Sequence, residues 1–249
     1  MGNILDKYGI KEVADVMIYE IADDGTAGKP VLYLDTLKVS TIEQTAEEAT
    51  ANGGKGNPPL IIWDYGKEIT VTLEDALFSA KSMAVMFGDS VVSTDTTTKM
   101  KRTISWRATG TTPTPPTTFD GPQGKKYAIP TNKVVYDETG TSTTSYTAGK
   151  VYYITFDMAV TDYGEIEVSA NSFPGTYYIT GDTYARAEKN GVDEFFQFII
   201  PKAKVQSSQT LTLSAEGDPS VFNLNLRVLR PAGGGPMMKL VKYDMTAVS

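Results

Sequence analysis

Apolar and polar residues alternate along most of the chain with the two-residue period of half-buried strands. Residues 13–21 and 31–39 carry this pattern on either side of the cluster Asp23-Asp24-Gly25-Thr26-Ala27-Gly28-Lys29-Pro30, which predicts a hairpin with a medium loop. A second hairpin is expected from residues 60–63 and 68–72 about a turn at Asp64-Tyr65-Gly66-Lys67. After residue 150 the strand signals become dense, and Asn190-Gly191 is the strongest turn dipeptide in the chain. Residues 221–230 alternate most cleanly: Phe222, Leu224, Leu226 and Val228 point one way, Asn223, Asn225 and Arg227 the other. A turn at residues 217–220 joins that strand to one expected at 210–216, and a last strand is expected at 237–244.

Three stretches break the period. Residues 73–87 place Leu73, Ala76, Leu77, Ala80, Met83, Ala84 and Phe87 at helical spacing, with Thr72 as cap and Gly88 as stop. Leu73, Leu77, Met83 and Phe87 are the side chains expected to pack this helix on a sheet. Residues 41–59 fit neither period and end in Gly53-Gly54-Lys55-Gly56-Asn57-Pro58-Pro59, so a long loop is expected there, either an arm that contacts a partner or a surface loop. Residues 91–150 hold 17 Thr and five Pro, which reads as loops with short strands between them. The fold class is therefore mainly β: a β-sandwich or barrel with one packed α-helix (residues 73–87) and long loops. Residues 1–90 and 150–249 are expected to form one β domain, interrupted by a Thr/Pro-rich insertion at 91–149.

Composition narrows the chemistry. The 249 residues contain no Cys and no His. That excludes disulfides, thiolate or imidazole metal sites, and a Ser-His-Asp triad. The carboxylate pairs Asp23-Asp24, Glu47-Glu48 and Glu74-Asp75 each have a structural reason to be where they are, and Asp23-Asp24-Gly25 is too short for a calcium loop. No catalytic residue, cofactor site or metal site is assigned, and no enzyme activity is expected. Trp63 and Trp106 leave open a carbohydrate-binding β-sandwich module. The net charge of −7 is uneven: residues 1–90 hold 7 Lys against 15 Asp and Glu, whereas the remainder is nearly balanced. Glu43, Glu47, Glu48 and Asp64 belong to this acidic third, which suits a surface that repels anions. The start of the chain has no basic region followed by an apolar stretch, and no apolar run is long enough to span a bilayer, so neither a signal peptide nor membrane insertion is expected.

Fourteen Tyr and nine Phe exceed what a monomer of this size needs, and strands with unpaired edges must be covered or joined. Both point to self-assembly. The segments Gly53-Gly54-Lys55-Gly56-Asn57 with residues 60–69, the continuation 70–77, and residues 200–204, 216–219 and 228–231 resemble those of bacteriophage tail tube (major tail) proteins. The resemblance covers about half the chain and leaves out residues 91–150. It implies a subunit whose sheets join, six to a ring, into a continuous inner β-barrel. Stacked rings would make a conduit through which DNA passes without being held. Its partners would be further copies of itself and other tail proteins, and its place the virion tail, assembled in the host cytoplasm. Glu43, Glu47, Glu48 and Asp64 are then candidates to line the lumen or an inter-subunit contact. Gly53, Gly54, Lys55, Gly56 and Asn57 are candidates for an inter-subunit arm. A capsid decoration or baseplate protein is the alternative among virion proteins.

Overall fold

The computed structural model describes residues 7–77, 79–89, 91–94, 98–160, 163–189, 191–208, 210 and 221–244. The chain divides into two compact units, one running up to Val91 and resuming at Ile166, the other spanning Val92–Glu165.

The first unit opens with β1 (Tyr8–Ile10), β2 (Asp15–Ile21), β3 (Ala27–Leu34), β4 (Leu37–Asn52), β5 (Pro59–Asp75) and α1 (Ala80–Phe87). The inserted unit follows with β6 (Val91–Thr94), β7 (Thr98–Arg107), β8 (Thr118–Asp120), β9 (Lys126–Ala128), β10 (Val134–Tyr136), β11 (Val151–Val160) and β12 (Tyr163–Ile166). The first unit then resumes with β13 (Thr176–Ala187), β14 (Asp193–Val205), β15 (Phe222–Val228) and β16 (Lys239–Tyr243). The chain is mainly β, as its alternation predicts.

The main sheet runs β3-β2-β13-β14-β15-β5-β4, with antiparallel neighbours. Its two outermost strands, β3 and β4, are consecutive in sequence, with only Asp35 and Thr36 between them. A sheet whose first and last strands are two residues apart must fold over on itself. The result is sandwich-like rather than a closed barrel. Inside it lie Val16 and Ile18 from β2, Val71 and Leu73 from β5, Ile179 from β13, Ile200 from β14, and Leu224 and Leu226 from β15, all fully buried. The corner is fastened by the carboxylate of Asp75, 2% exposed, which accepts from the Thr36 hydroxyl at 2.5 Å and from the Leu77 N–H at 3.3 Å. The Ala76 N–H donates to the Thr36 carbonyl at 3.1 Å.

β13 and β14 form the long hairpin expected around Asn190-Gly191, with Arg186 opposite Asp193; Asn190 itself lies outside the described residues. β14 runs unbroken through Pro201. Proline has no N–H for a ladder. It is accommodated because β14 changes neighbours there, from β16 at residues 195–199 to β15 at 203–205, opposite a register shift in β13.

Two expected elements are corrected. Residues 41–59 are mostly strand, not loop: β4 pairs with β5 from Leu37–Asp75 out to Asn52–Pro59. β5 is correspondingly unbroken through Asp64-Tyr65-Gly66-Lys67, where a turn was expected. Gly66, at φ 62°, sits at a bulge between the pairs Thr45–Glu68 and Glu47–Tyr65, so a turn-like tetrapeptide serves as a kink inside a strand. The helix is also shorter than residues 73–87. Leu73 is fully buried but as a strand residue, paired with Ser40 and Leu224, since pairing on both sides overrides the local helical signal. α1 begins after Ser79, which forms a reciprocal capping box with Ser82, and ends at Gly88 in the left-handed conformation. Its buried residues are Ser82, Ala84, Val85 and Met86; Phe87 packs partly against the core, Met83 is half-buried and Leu77 is 66% exposed.

The inserted unit has its own core of Phe119, Ile129, Val135, Tyr152, Ile154 and Phe156 beneath the sheet β10-β11-β7. β11 pairs with β7 over ten residues and so belongs here rather than with the C-terminal strands. β6 and β12 pair with each other where the chain enters and leaves the unit. The strand expected at 210–216 and the turn at 217–220 lie, apart from Thr210, outside the described residues.

Candidate assembly surfaces

Toward its turn the β13–β14 hairpin carries β1 on one side and β16 on the other. Pairing therefore runs β1-β13-β14-β16, antiparallel at every step, with β1 on β13 at residues 185–187 and β16 on β14 at 195–199, opposite residues 180–184, so the two outer strands flank the hairpin at adjoining levels. Among the described residues, nothing pairs with the outer edge of β1 or of β16. One face carries an aromatic ladder: Tyr184 lies 5.6 Å from Phe195, which stacks on Tyr243 at 5.4 Å and 17°. On the other, Tyr8 packs over Phe196 at 6.2 Å, while the Lys242 ammonium sits 5.3 Å above the Tyr8 ring and pairs with Glu194. Near the turn Arg186 grips Asp193 in a fork of 2.6 and 2.7 Å. That hydrogen-bonded guanidinium holds the Asp193 carboxyl below, and the carboxylate holds Arg186 above, its ordinary value. Sequence reading missed β1, because three residues cannot display a period.

The second surface is the outer half of the β4–β5 hairpin. β15 covers β5 only at residues 70–75, so from Pro59 to Ile69 β5 pairs with β4 alone among the described residues. The result is a free two-stranded ribbon. Leu60, Ile61, Ile62, Trp63 and Tyr65 are each more than half exposed on it. Gly53, Gly54, Lys55, Gly56 and Asn57 form its tip, a closed turn in which the Gly53 N–H donates to Pro58 and the Asn57 N–H to Gly54, both at 3.1 Å. Asn57 adopts φ 49° there, a conformation asparagine tolerates. Alternation through the bulge sorts the candidate acids. Glu43 and Glu47 lie on the face that carries Ile61, Trp63 and Tyr65, whereas Glu48 and Asp64 are direct cross-strand neighbours on the opposite face. The four therefore do not form one cluster. None of them has an ion-pair partner among the described residues.

The third surface surrounds α1. Gly88 presses so closely on the turn before β13 that a Cβ there would lie 2.1 Å from the Phe173 carbonyl carbon. Between helix and turn is a mostly apolar cleft of about 670 Å³ lined by Val31, Ala80, Ala84, Val85, Phe173 and Tyr177, with Lys81 and Asp89 also on its wall. It continues past Ser79 and Lys81 into a groove along β3 lined by Met17, Leu32 and Tyr33. Burial, followed by the charge of Glu20, pushes the Tyr177 hydroxyl up; the Asp15 charge, then burial, then Asp35 do the same to Tyr33. The sequence marked α1 as a packing element but not as the wall of a cleft.

The two tryptophans belong to different units. Trp63 is on the ribbon, and Trp106, in the other unit, packs edge-on to Tyr146 at 5.4 Å and against Tyr152 at 5.6 Å. Among the described residues no three acidic side chains are grouped to hold a metal ion, and no helix is long and apolar enough to cross a membrane.

Compared with known families, the chain matches the model described as the YomU/Tube protein family over residues 8–240. The match starts with the first strand, ends in the last and takes in the inserted unit. No curated protein matches the chain.

Proposed function

The chain belongs to the YomU/Tube protein family, of phage tube-type structural proteins, and from that premise we propose that it is the repeating subunit of a tail tube. Copies join side by side into rings, six to a ring as in the tail tube proteins it resembles, and the rings stack into a conduit for DNA. One observation carries this reading: the antiparallel run β1-β13-β14-β16, whose two outer strands flank the hairpin with open edges.

Its strands alternate in direction, and their number is even. When β16 of one copy meets β1 of the next in the same orientation, the new contact is antiparallel like every other in the sheet. Identical copies related by rotation then form a closed ring with no edge left open. An odd number of strands would force a parallel joint. The subunit's work is geometry and charge rather than bond-making, which suits a chain without His or Cys. The acid excess of residues 1–90 keeps the conduit from binding phosphate, because retention would need clustered Lys and Arg. Since the ribbon has two faces, only one of the pairs Glu43/Glu47 and Glu48/Asp64 can face the lumen.

Electron microscopy of the purified chain tests the proposal. Rings or tubes of uniform diameter are expected. A small closed oligomer that never stacks would favour a capsid decoration or baseplate role, and a stable monomer that binds a glycan would overturn the tube reading.

A further inference from the structure

The inserted unit holds a hollow of about 420 Å³ that opens between β10 and the returning segment 142–146. It lies wholly within this unit, so each copy carries it complete. Hydrogen bonds fix its shape in advance. The Asp137 carboxylate accepts from the N–H groups of Thr139 and Thr141, both at 2.9 Å, and so closes the turn that brings the segment back. The Thr143 N–H then donates to the Val135 carbonyl at 2.8 Å. Tyr146 is held edge-on by Trp106 and Tyr152, with its hydroxyl 3.4 Å from the Thr143 carbonyl.

The wall combines three kinds of group. Val134 and the Tyr146 ring are apolar. Thr131, Ser142 and Thr144 bring hydroxyls that bond to no protein group among the described residues, and each can both donate and accept. Lys133 is half-buried, its ammonium anchored on the Pro116 carbonyl at 2.8 Å and without a carboxylate partner among the described residues. No carboxylate stands on the wall: Asp137 is turned onto its own loop, and Glu138 reaches the Val151 N–H at 3.4 Å. Residues 92–165 hold 8 Lys and Arg against 7 Asp and Glu, so the acid excess of the chain lies outside this unit and does not repel an anion from it. We propose that the hollow binds a sugar residue carrying a carboxylate or a phosphate. Its C–H face lies on Val134 and Tyr146, its hydroxyls meet those of Thr131, Ser142 and Thr144, and its charge meets Lys133. A bare anion would leave the apolar wall unused, and a neutral sugar the ammonium.

Saturation-transfer NMR on the full chain, which reads binding in a monomer, ring or tube alike, tests this with glucuronic acid, glucose 6-phosphate, glucose and inorganic phosphate. Transfer to the ring protons of both acidic sugars is expected, with glucose bound about tenfold more weakly. Lys133→Gln should weaken the acidic sugars about tenfold and leave glucose where it was, whereas Lys133→Arg keeps the preference. Ser142→Ala combined with Thr144→Val should weaken all three sugars. Circular dichroism of each variant should match the parent, since the replaced side chains are exposed or half-buried. Three results would overturn the proposal: no transfer to any sugar, acidic sugars bound equally by the parent and Lys133→Gln, or phosphate displacing them at equal concentration, which would make the hollow a plain anion site. Each leaves the tube reading, judged by microscopy, untouched.

Discussion

Gly181→Ala tests whether the sandwich is packed as described. Gly181 lies in β13, opposite Val16 of β2 and Phe198 of β14. Its backbone is in a range any residue adopts, so the substitution acts only through the added methyl. That carbon would stand 2.1 Å from two atoms of the Phe198 ring, whereas ordinary contact begins at 3.4 Å, so the ring must retreat about 1.3 Å. Phe198 is 4% exposed and packed into the core cluster, with little space to move into. Overpacking of this kind costs about 2–3 kcal/mol. Phe198→Leu alone should cost about 1–2 kcal/mol through lost contact and a partial cavity. In the double variant the new methyl occupies space the ring has left, so the combined cost should fall about 2 kcal/mol short of the sum. Denaturant unfolding of the unassembled chain, followed by far-UV circular dichroism, measures each difference. A Gly181→Ala protein within about 0.5 kcal/mol of the parent, or strict additivity in the double variant, would refute the reasoning.

Gly88→Ala should be worse and beyond rescue by trimming a neighbour, because the methyl meets the Phe173 backbone and the residue sits at φ 77°. A loss of about 3 kcal/mol or more is expected in the same unfolding assay. Asp75→Ala removes the acceptor of both bonds at the corner and leaves the Thr36 hydroxyl without it, for an expected cost of about 2–4 kcal/mol; Asp75→Asn should keep part of the stability. For Asp193 the folded carboxyl titrates below its unfolded value, so its contribution is present above the unfolded value and lost as pH falls through the folded one. NMR titration should find that carboxyl low in the parent and back in the ordinary range in Arg186→Gln; an unchanged titration would show that the fork does not form in solution.

What could be read in the sequence depended on whether one face of a strand meets the core. β15 alternates because the sandwich buries Phe222, Leu224, Leu226 and Val228 and leaves the side chains between them outside, and it is legible residue by residue. The outer half of β5 is apolar on both faces, in Leu60-Ile61-Ile62-Trp63, because neither face meets the core of its own chain. Its partner β4 is polar for the same reason, so both lose their period and read as loop and turn. The helix failed at its start because Leu73 and Leu77 are four residues apart, which satisfies a helical spacing as well as a strand's even step. Its end was legible because Gly88 leaves the helix in a conformation other residues avoid. Composition placed the acid in the first third, but only the register of β4 on β5 could divide it between two faces.

The pairing of β6 with β12 bears on the order in which the chain folds. Bringing β13 onto β2 closes the chain between Ile21 and Thr176, about 155 residues, roughly half of them in the inserted unit, and the entropy of closure grows with loop length. With the inserted unit folded around its own core, its two ends lie side by side and the loop left to close is about half as long. At about 0.6 kcal/mol per doubling of length, that lowers the closure cost by about 0.6 kcal/mol. A folded insertion thus acts as a clasp that shortens the path between the two halves of the main sheet.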